Sequence, residues 1–371
     1  MQIKIYYEFN EEIKSLWKDL ELNADITPFQ TYVWIENWQK KIGSPVYKIQ
    51  PVIICLFNKG ILEAIIPLCI KKEGSISILE WLGGPNTDYM LPIIKKNSHI
   101  FTTAFSSLWS EVKSNIPHFD ILHLTKQPSE IGTNKNPFVH FLDSRFIMNS
   151  YQSFIKNDWE DYKEITISKK VLADSRRQRK RLAELGNLSF QIFSDQEGMS
   201  HVTRTMLRQK RRRYQEKEGW DMFQISEFQD FYLELPKQLS IKASVHCSAL
   251  LLDTKIIACH WGILEDNKLF YLMPTHEGGK YSKYSAGKLL LEELLKWCSL
   301  TGVNYLDFTG GDEPYKKIWT NQSEELFEVL ESNSLIGNFY LYFNYLKSAL
   351  KRSPIIGVYL TNFYRLIKRK N

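Results

Sequence analysis

The run KYSAGKLLLEELLKWCSLTGVNYLDFTGGDEPYKKIW, residues 283–319, decides how this chain is read. Leu290, Leu291, Leu294, Leu295 and Cys298 recur at helical spacing and mark one apolar stripe. Ser285 stands where an N-cap belongs, so the segment predicts a loop turning into a helix with Ala286, Gly287 and Lys288 in its first turn. A helix N-terminus carries partial positive charge and favours Asp or Glu. Here the first turn has neither, and Lys280 and Lys283 lie just upstream. Unpaired backbone N–H groups, a glycine that admits close approach, and lysines 283 and 288 suit a phosphate or pyrophosphate. The competing reading is an ordinary capped helix with solvated lysines.

The continuation shifts that balance. VNYLDFTG reads as a strand, and Asp307 alternates against Leu306 and Phe308, which places it on the opposite face. Gly310 and Gly311 follow, and then Asp312, Glu313, Tyr315, Lys316 and Trp319 crowd into one turn. Carboxylates at strand ends beside glycines line sites, because loops at strand ends carry function. A short helix capped by Asp312, with Pro314 in its first turn, explains part of this segment. It does not explain Asp307 or the glycine pair.

Outward from this segment, 371 residues suffice for one large or two ordinary domains. A chain that is 43% hydrophobic and 24% charged has the composition of a globular protein. The net charge of +6 permits an anionic ligand or surface and requires none. Cys55, Cys69, Cys247, Cys259 and Cys298 form no C-x-x-C pair, which points to buried thiols in a reducing cytoplasm and to no metal site. The N-terminal MQIKIYYEFNEEIKSLW is charged from the start, unlike a signal peptide, and no stretch reaches the roughly 18–20 apolar residues of a membrane span. A soluble cytoplasmic protein, peripheral at the inner face of a membrane at most, is expected.

The chain runs through two cycles of one plan: helices, a meander of antiparallel strands, a helix, then a strand. In the first, EFNEEIKSLWKDLEL and TPFQTYVWIENWQKKIG read as helices, the latter capped by Thr27 and stopped by Gly43. VIICLF, ILEAIIPLCI, ISILEWLGG and DYMLPII read as strands. In the second, KKVLADSRRQRKRLAELG and GMSHVTRTMLRQKRRRYQEKEG are helical, and VHCSALLLD with KIIACHWGILEDNKLFYLMP forms a meander ahead of the opening segment. This predicts an α/β (α+β) protein with domains at 1–150 and 151–331 and a basic amphipathic helical tail at 332–371.

The segment 281–319 resembles the core signature of the CelD/BcsL-type acyltransferases, a branch of the GNAT superfamily of N-acetyltransferases related to the FemABX peptidyltransferases. TPFQTYVWIENW, LEWLGGPNTDYMLP and SRRQRKRLAELG resemble other parts of the same proteins, so the likeness spans about residues 20–325. The resemblance implies a tandem, double GNAT-like fold, each half a twisted mixed sheet flanked by helices. It implies that the loop and helix start at Lys283, Ser285, Ala286, Gly287 and Lys288 bind the pyrophosphate of acetyl-CoA or another acyl-CoA. The usual loop resembles Q/R-x-x-G-x-G/A, whereas KYSAGK has one glycine, and this leaves the acyl carrier open. Relatives of the FemABX type take aminoacyl groups from tRNA instead. By family association the acceptor is a small molecule, a sugar or a cell-envelope precursor.

Acyl transfer needs an unprotonated nucleophile, a hydrogen-bond donor for the carbonyl oxygen as it gains charge, and reactants held in line. Asp307 and Glu313 are candidates for the base or amine-orienting group, Tyr315 for the donor to the leaving thiolate or the oxyanion, and Lys316 for a phosphate partner, with Trp319 beside them at the substrate. The hairpin around Asp253–Lys255 places Cys247 opposite His260 in one register, although a slip of one residue flips the face. A satisfied core histidine competes there with a residue lining the acceptor site.

Two basic runs, SRRQRKR (Arg176, Arg177, Arg179, Lys180, Arg181) and RQKRRR (Arg208, Lys210, Arg211, Arg212, Arg213), fall on predicted helices. They read either as solvated faces or as seats for CoA phosphates, tRNA, a nucleotide sugar or lipid phosphate. Tyr214 and Trp220 are the only aromatics nearby, so stacking on single-stranded nucleic acid is poorly supported and DNA is not an expected partner. From Asn333 onward the tail has no acid and is rich in Phe, Tyr, Leu and Ile. It reads as a docked helix or as a segment lying on an anionic membrane. Three function classes stand: an acyl-CoA-dependent acyltransferase, a FemABX-like aminoacyl transferase, and a non-catalytic GNAT-like binding module.

Overall fold

The computed structural model describes residues 1–101, 105–156, 158–237 and 243–352. The first half comprises β1 (Gln2–Tyr6), α1 (Glu11–Glu21), α2 (Tyr32–Trp38), β2 (Gln50–Asn58), β3 (Ile61–Glu73), β4 (Ile76–Trp81), β5 (Ile93–Ile94), α3 (Phe105–Asn115) and β6 (Ile121–Pro128). A small ribbon, β7 (Glu130–Ile131) with β8 (Asn134–Lys135), and α4 (Pro137–Phe141) lead into β9 (Ser144–Phe154). After α5 (Trp159–Thr166) and α6 (Lys169–Ala183), the second half repeats the order with β10 (Leu188–Phe193), α7 (Gln196–Glu216), α8 (Ser226–Glu234), β11 (Ala243–Leu252), β12 (Lys255–Glu265) and β13 (Lys268–Phe270). It continues with β14 (Thr275–His276), α9 (Ala286–Thr301), β15 (Tyr305–Gly310), α10 (Lys316–Trp319) and β16 (Gln322–Ser332), and α11 (Leu335–Arg352) follows.

The two half-sheets join into one mixed sheet in the order β1-β2-β3-β4-β6-β16-β9-β15-β13-β12-β11-β10. Each half contains one parallel pair, β4 with β6 and β13 with β15, bridged by a helix, α3 or α9. The join is made by exchange. β9, the last strand of the first half, pairs with β15 (Phe154 opposite Tyr305), and β16, the last of the second, pairs with β6 (Leu124 opposite Val329). The two exchanged strands pair with each other at the centre. The boundary read at 150/151 therefore falls inside β9.

Burial follows this layering. Val52–Leu56 of β2 are buried on both faces, as expected of a strand covered on two sides. α3 and α4 cover one face of the first half through Phe105, Trp109 and Phe138, and α9 covers the second half through Leu290, Leu291, Leu294 and Leu295. On the other face, α1 and α2 meet α7 and α8 in one apolar layer shared by both halves. There Trp34 and Phe231 meet edge-on at 5.1 Å, and Lys41 pairs with Glu234 at 2.7 Å.

Local chemistry breaks some expected elements. Thr27 caps only a 3-10 turn, Pro28–Gln30, in a capping box with Gln30; Thr31 then caps α2, and Gln39–Gly43 winds as a π-turn. DYMLPII is a strand only at Ile93–Ile94. Of the expected tail, α11 is helical, and residues 353–371 lie outside the described residues.

Candidate functional site

β13 and β15 run together only briefly. Phe270 pairs with Asp307, and Tyr271 N–H still donates to Asp307 O at 2.7 Å. Beyond that point Met273 N–H donates to Trp261 O of β12 at 2.9 Å, while Gly311 N–H donates to Asn149 O of β9 at 3.0 Å. Thr309 (φ 57°) and Gly311 (φ 123°) bend β15 away. A β-branched residue in the left-handed region is strained, and such strain collects at functional sites. The side chain of Asp307 holds this bend, its Oδ1 accepting from Thr309 N–H at 2.7 Å.

Asp307 is 1% exposed and forms part of the wall of a cavity of about 800 Å³ between the two halves. Its Oδ1 also accepts from the hydroxyl of Tyr89, from the first half, at 2.8 Å. Its Oδ2 lies 3.7 Å from Lys268 Nζ, which donates to Gln152 Oε1 at 3.3 Å. Burial lifts the Asp307 carboxyl above the usual carboxylate range, and Lys268 opposes this only in part. Burial, then the charge of Asp307, pushes Glu324 on the same wall up to about 6. Eight carboxylates and three lysines line the cavity, so its potential is negative.

The start of α9 departs from the expected cap. Residues Gly279–Tyr284 form a 3-10 turn, and Ser285 sits in the left-handed region at φ 54° with no side-chain cap hydrogen bond. Lys288 and Leu289 N–H groups turn back to Ser285 O at 2.9 and 3.2 Å, which leaves Ala286 and Gly287 as the first-turn donors without a backbone partner among the described residues. A Cβ on Gly287 would meet the His276 side chain in ordinary van der Waals contact, the nearest atom at 3.4 Å, so a small side chain would fit there without a clash. The two lysines already have contacts within the protein. Lys288 pairs with Asp174 of α6, and the Lys283 ammonium lies 5.2 Å from the Tyr284 ring centroid.

The other expected site residues divide between the two faces of β15. Tyr315 packs near Phe308 at 6.2 Å, on the face that carries α9 and away from Asp307; it is 38% exposed, and burial of its hydroxyl pushes it up to about 12. Glu313 pairs with Lys316 at 3.0 Å. Lys316 is itself buried and donates to Gly310 O at 2.7 Å, so it braces the bent strand and does not face a phosphate. Trp319 is buried in the α9 core, and its carbonyl accepts from Ser153 and Tyr162, which removes it from the substrate. His260 is fully buried, stacked on Tyr271 at 4.7 Å, and stands opposite Ser248, whereas Cys247 stands opposite Trp261. The bulge at Leu250/Leu251 supplies the one-residue shift that separates Cys247 from His260. Among the described residues no group of three or more metal-ligating side chains occurs.

The basic runs are largely engaged inside the protein. Arg179 of α6 pairs with Glu292 and Glu293 of α9, and Arg177 with Asp174. On α7, Arg208 and Arg212 converge on Glu277 at 2.8 and 3.1 Å, and Arg211 pairs with Asp221 at 3.2 Å. Lys210 is held down to about 8 by burial and by Arg213. Tyr89, Gln152, Lys268 and Glu324 carry no local signal in the sequence; only the exchange of strands and the facing of the halves brings them to Asp307.

Residues 169–317 match the family model of the acetyltransferase (GNAT) domain. None of the curated proteins is detectably similar in sequence. Among solved structures, FemX shares the fold with a TM-score of 0.58 at 11% identity, over 88% of this chain and 97% of that one. A conserved protein of unknown function from Bacteroides thetaiotaomicron gives 0.53 at 9% identity, over 89% and 99%. L-PGS from Bacillus licheniformis gives 0.50 at 12% identity, over 92% and 98%. Residues 169–317 thus resemble a GNAT-type acetyltransferase domain, set within a double α/β fold whose halves repeat one topology.

Proposed function

We propose that the protein transfers an acyl group, acetyl foremost, from an acyl-CoA to an amine held in the cavity between the halves. The observation that carries this reading is Asp307: a buried carboxylate, oriented by Tyr89 and Thr309, at the point where β13 and β15 part. A carboxylate lifted toward neutrality by burial is a stronger base than a solvated one, and it is suited to take a proton from an ammonium acceptor. The excess of carboxylates on the wall favours an amine-bearing acceptor, such as an amino sugar, over a phosphate-bearing one.

The start of α9 fits the donor's diphosphate, because Gly287 carries no side chain to shield the backbone and Ala286 and Gly287 present N–H groups with no backbone partner among the described residues. Bound there, acyl-CoA supplies an activated acyl group with a thiolate as leaving group. Tyr315 stands on the face of β15 that carries α9, where its hydroxyl, kept protonated by burial, serves as a donor to the leaving group. Asp307 serves the opposite face. Glu313 holds Lys316, which holds the carbonyls of the bend. The ion pairs of α6 and α7 support acyl-CoA over aminoacyl-tRNA as donor, since Arg179, Arg208, Arg211 and Arg212 already have carboxylate partners within the protein.

Calorimetry with CoA, acetyl-CoA and aminoacyl-tRNA tests the reading. Micromolar CoA binding that Gly287→Trp weakens at least about a hundredfold is expected. No CoA binding at about millimolar concentration would overturn it, and binding of aminoacyl-tRNA in its place would move the donor to the other class.

A further inference from the structure

α11 carries an apolar face that no described part of the protein covers. Its inner side docks: Tyr340 and Leu341 pack on Ile76, Ile78 and Ile121, Gly337 lies tight against the backbone of Asp120, and the Tyr340 hydroxyl donates to Glu73 at 2.8 Å. Its outer side is the reverse of a solvated helix. Leu335, Ile336, Phe339, Tyr342 and Phe343 are 87, 61, 71, 60 and 57% exposed. At about 100° per residue these positions, with Leu346, form one continuous stripe opposite Gly337 and Leu341. A contiguous exposed patch of this kind marks an interaction surface.

Charge identifies the occupant. From Asn333 to Asn371 the sequence has no Asp or Glu and seven basic residues, three of them, Lys347, Lys351 and Arg352, in the last turns of α11. Lys347 falls on one flank of the stripe, where a long basic side chain reaches phosphates while its stem stays apolar. The tyrosines Tyr342 and Tyr345 suit the same boundary, with an apolar ring and a polar tip. The α11 of a second copy would offer no acid to pair with these cations, so the helix lacks the self-complementarity an isologous contact needs. No described helix is long and apolar enough to cross a membrane.

We propose that α11 lies along the surface of an anionic bilayer, its outer stripe in the headgroup–acyl boundary and its basic end on the lipid phosphates. The protein is then held with the β4–β6 side of its sheet toward the membrane, because that is where α11 docks.

Co-sedimentation of the full chain with vesicles tests this. The protein is expected to pellet with vesicles containing phosphatidylglycerol and much less with pure phosphatidylcholine. The double variant Phe339→Ser/Phe343→Ser is expected to lower partitioning at least about tenfold. Its thermal unfolding should be unchanged, since both side chains face outward. Quenching of tyrosine fluorescence by spin-labelled lipids, strongest for labels near the headgroups, reads the same contact in the unaltered protein. Absence of binding and quenching would overturn the proposal, as would partitioning that the variant leaves intact. A dimer in sedimentation equilibrium that Phe339→Ser/Phe343→Ser dissociates, without vesicle binding, would assign the face to a second copy instead.

Discussion

In the first half, β4 and β6 run parallel with Glu80 opposite His123; in the second, β13 and β15 run parallel with Phe270 opposite Asp307. The frames match and the contents do not. Around Glu80 and His123 the indoles of Trp38 and Trp81 close the space to about 260 Å³, and His123 is tied to Glu328 at 3.2 Å. Around Asp307 the corresponding space widens to about 800 Å³ and opens toward the other half. One copy of the topology has been crowded by aromatic side chains around its charged groups, and the other has been left open around a buried carboxylate. Chemistry therefore resides in the filling and not in the strand order.

Unequal effects at the paired positions would sharpen the comparison. Asp307→Asn should lower kcat/KM for acyl transfer by about 10²–10³-fold, the range of a lost general base. His123→Asn should change it by less than about twofold. Equal losses would mean that both halves serve the reaction. Tyr89→Phe comes next: losing its hydrogen bond to Asp307 should cost about tenfold in kcat and about 1 kcal/mol in stability, measured by steady-state kinetics and denaturant unfolding.

Glu324 supplies the pH dependence. Its carboxyl titrates near 6 in the folded protein, above its ordinary 4.5. The folded state thus binds this proton more tightly than the unfolded chain, a stability present below about 4.5 and lost as pH rises through about 6. Glu324→Gln should therefore raise stability at pH 7.5 by about 1 kcal/mol and give no gain at pH 4. In the wild type, KM for a cationic acceptor should rise as pH falls through the same window, as the wall loses charge. The smallest effect belongs to the rim of α9: Asp174→Ala, which frees Lys288 and Arg177, should cost at most about 1 kcal/mol by thermal unfolding.

The face that Asp307 takes on β15 was legible because its signal is local: a carboxylate alternating in an apolar strand ahead of two glycines. The α9 helix was legible for the same reason, in its leucine stripe. Its start was not, because the 3-10 turn that precedes it delivers Ser285 in a left-handed conformation, which no residue type there announces. The Cys247–His260 pairing turned on a bulge at Leu250/Leu251, and a one-residue shift inverts a face. The partner of Asp307, Tyr89, lies 218 residues away, so no window of sequence contains both. The arginines of α6 read as a solvated face or an anion seat, and not as ion-paired, because the acids that meet Arg179, Glu292 and Glu293, sit on another helix.

The exchange of β9 and β16 also orders events in time. β16 is made after residue 321, yet it sits between β6 and β9 at the middle of the sheet. Until it emerges from the ribosome, β6 of the first half keeps a bare hydrogen-bonding edge, and β9 lacks one of its two neighbours. Folding during synthesis therefore leaves the first half open, and the sheet is sealed from its centre only after the other strands described have been made. The next element made is α11, so closure of the core and delivery of the outward apolar helix come within a few residues of each other.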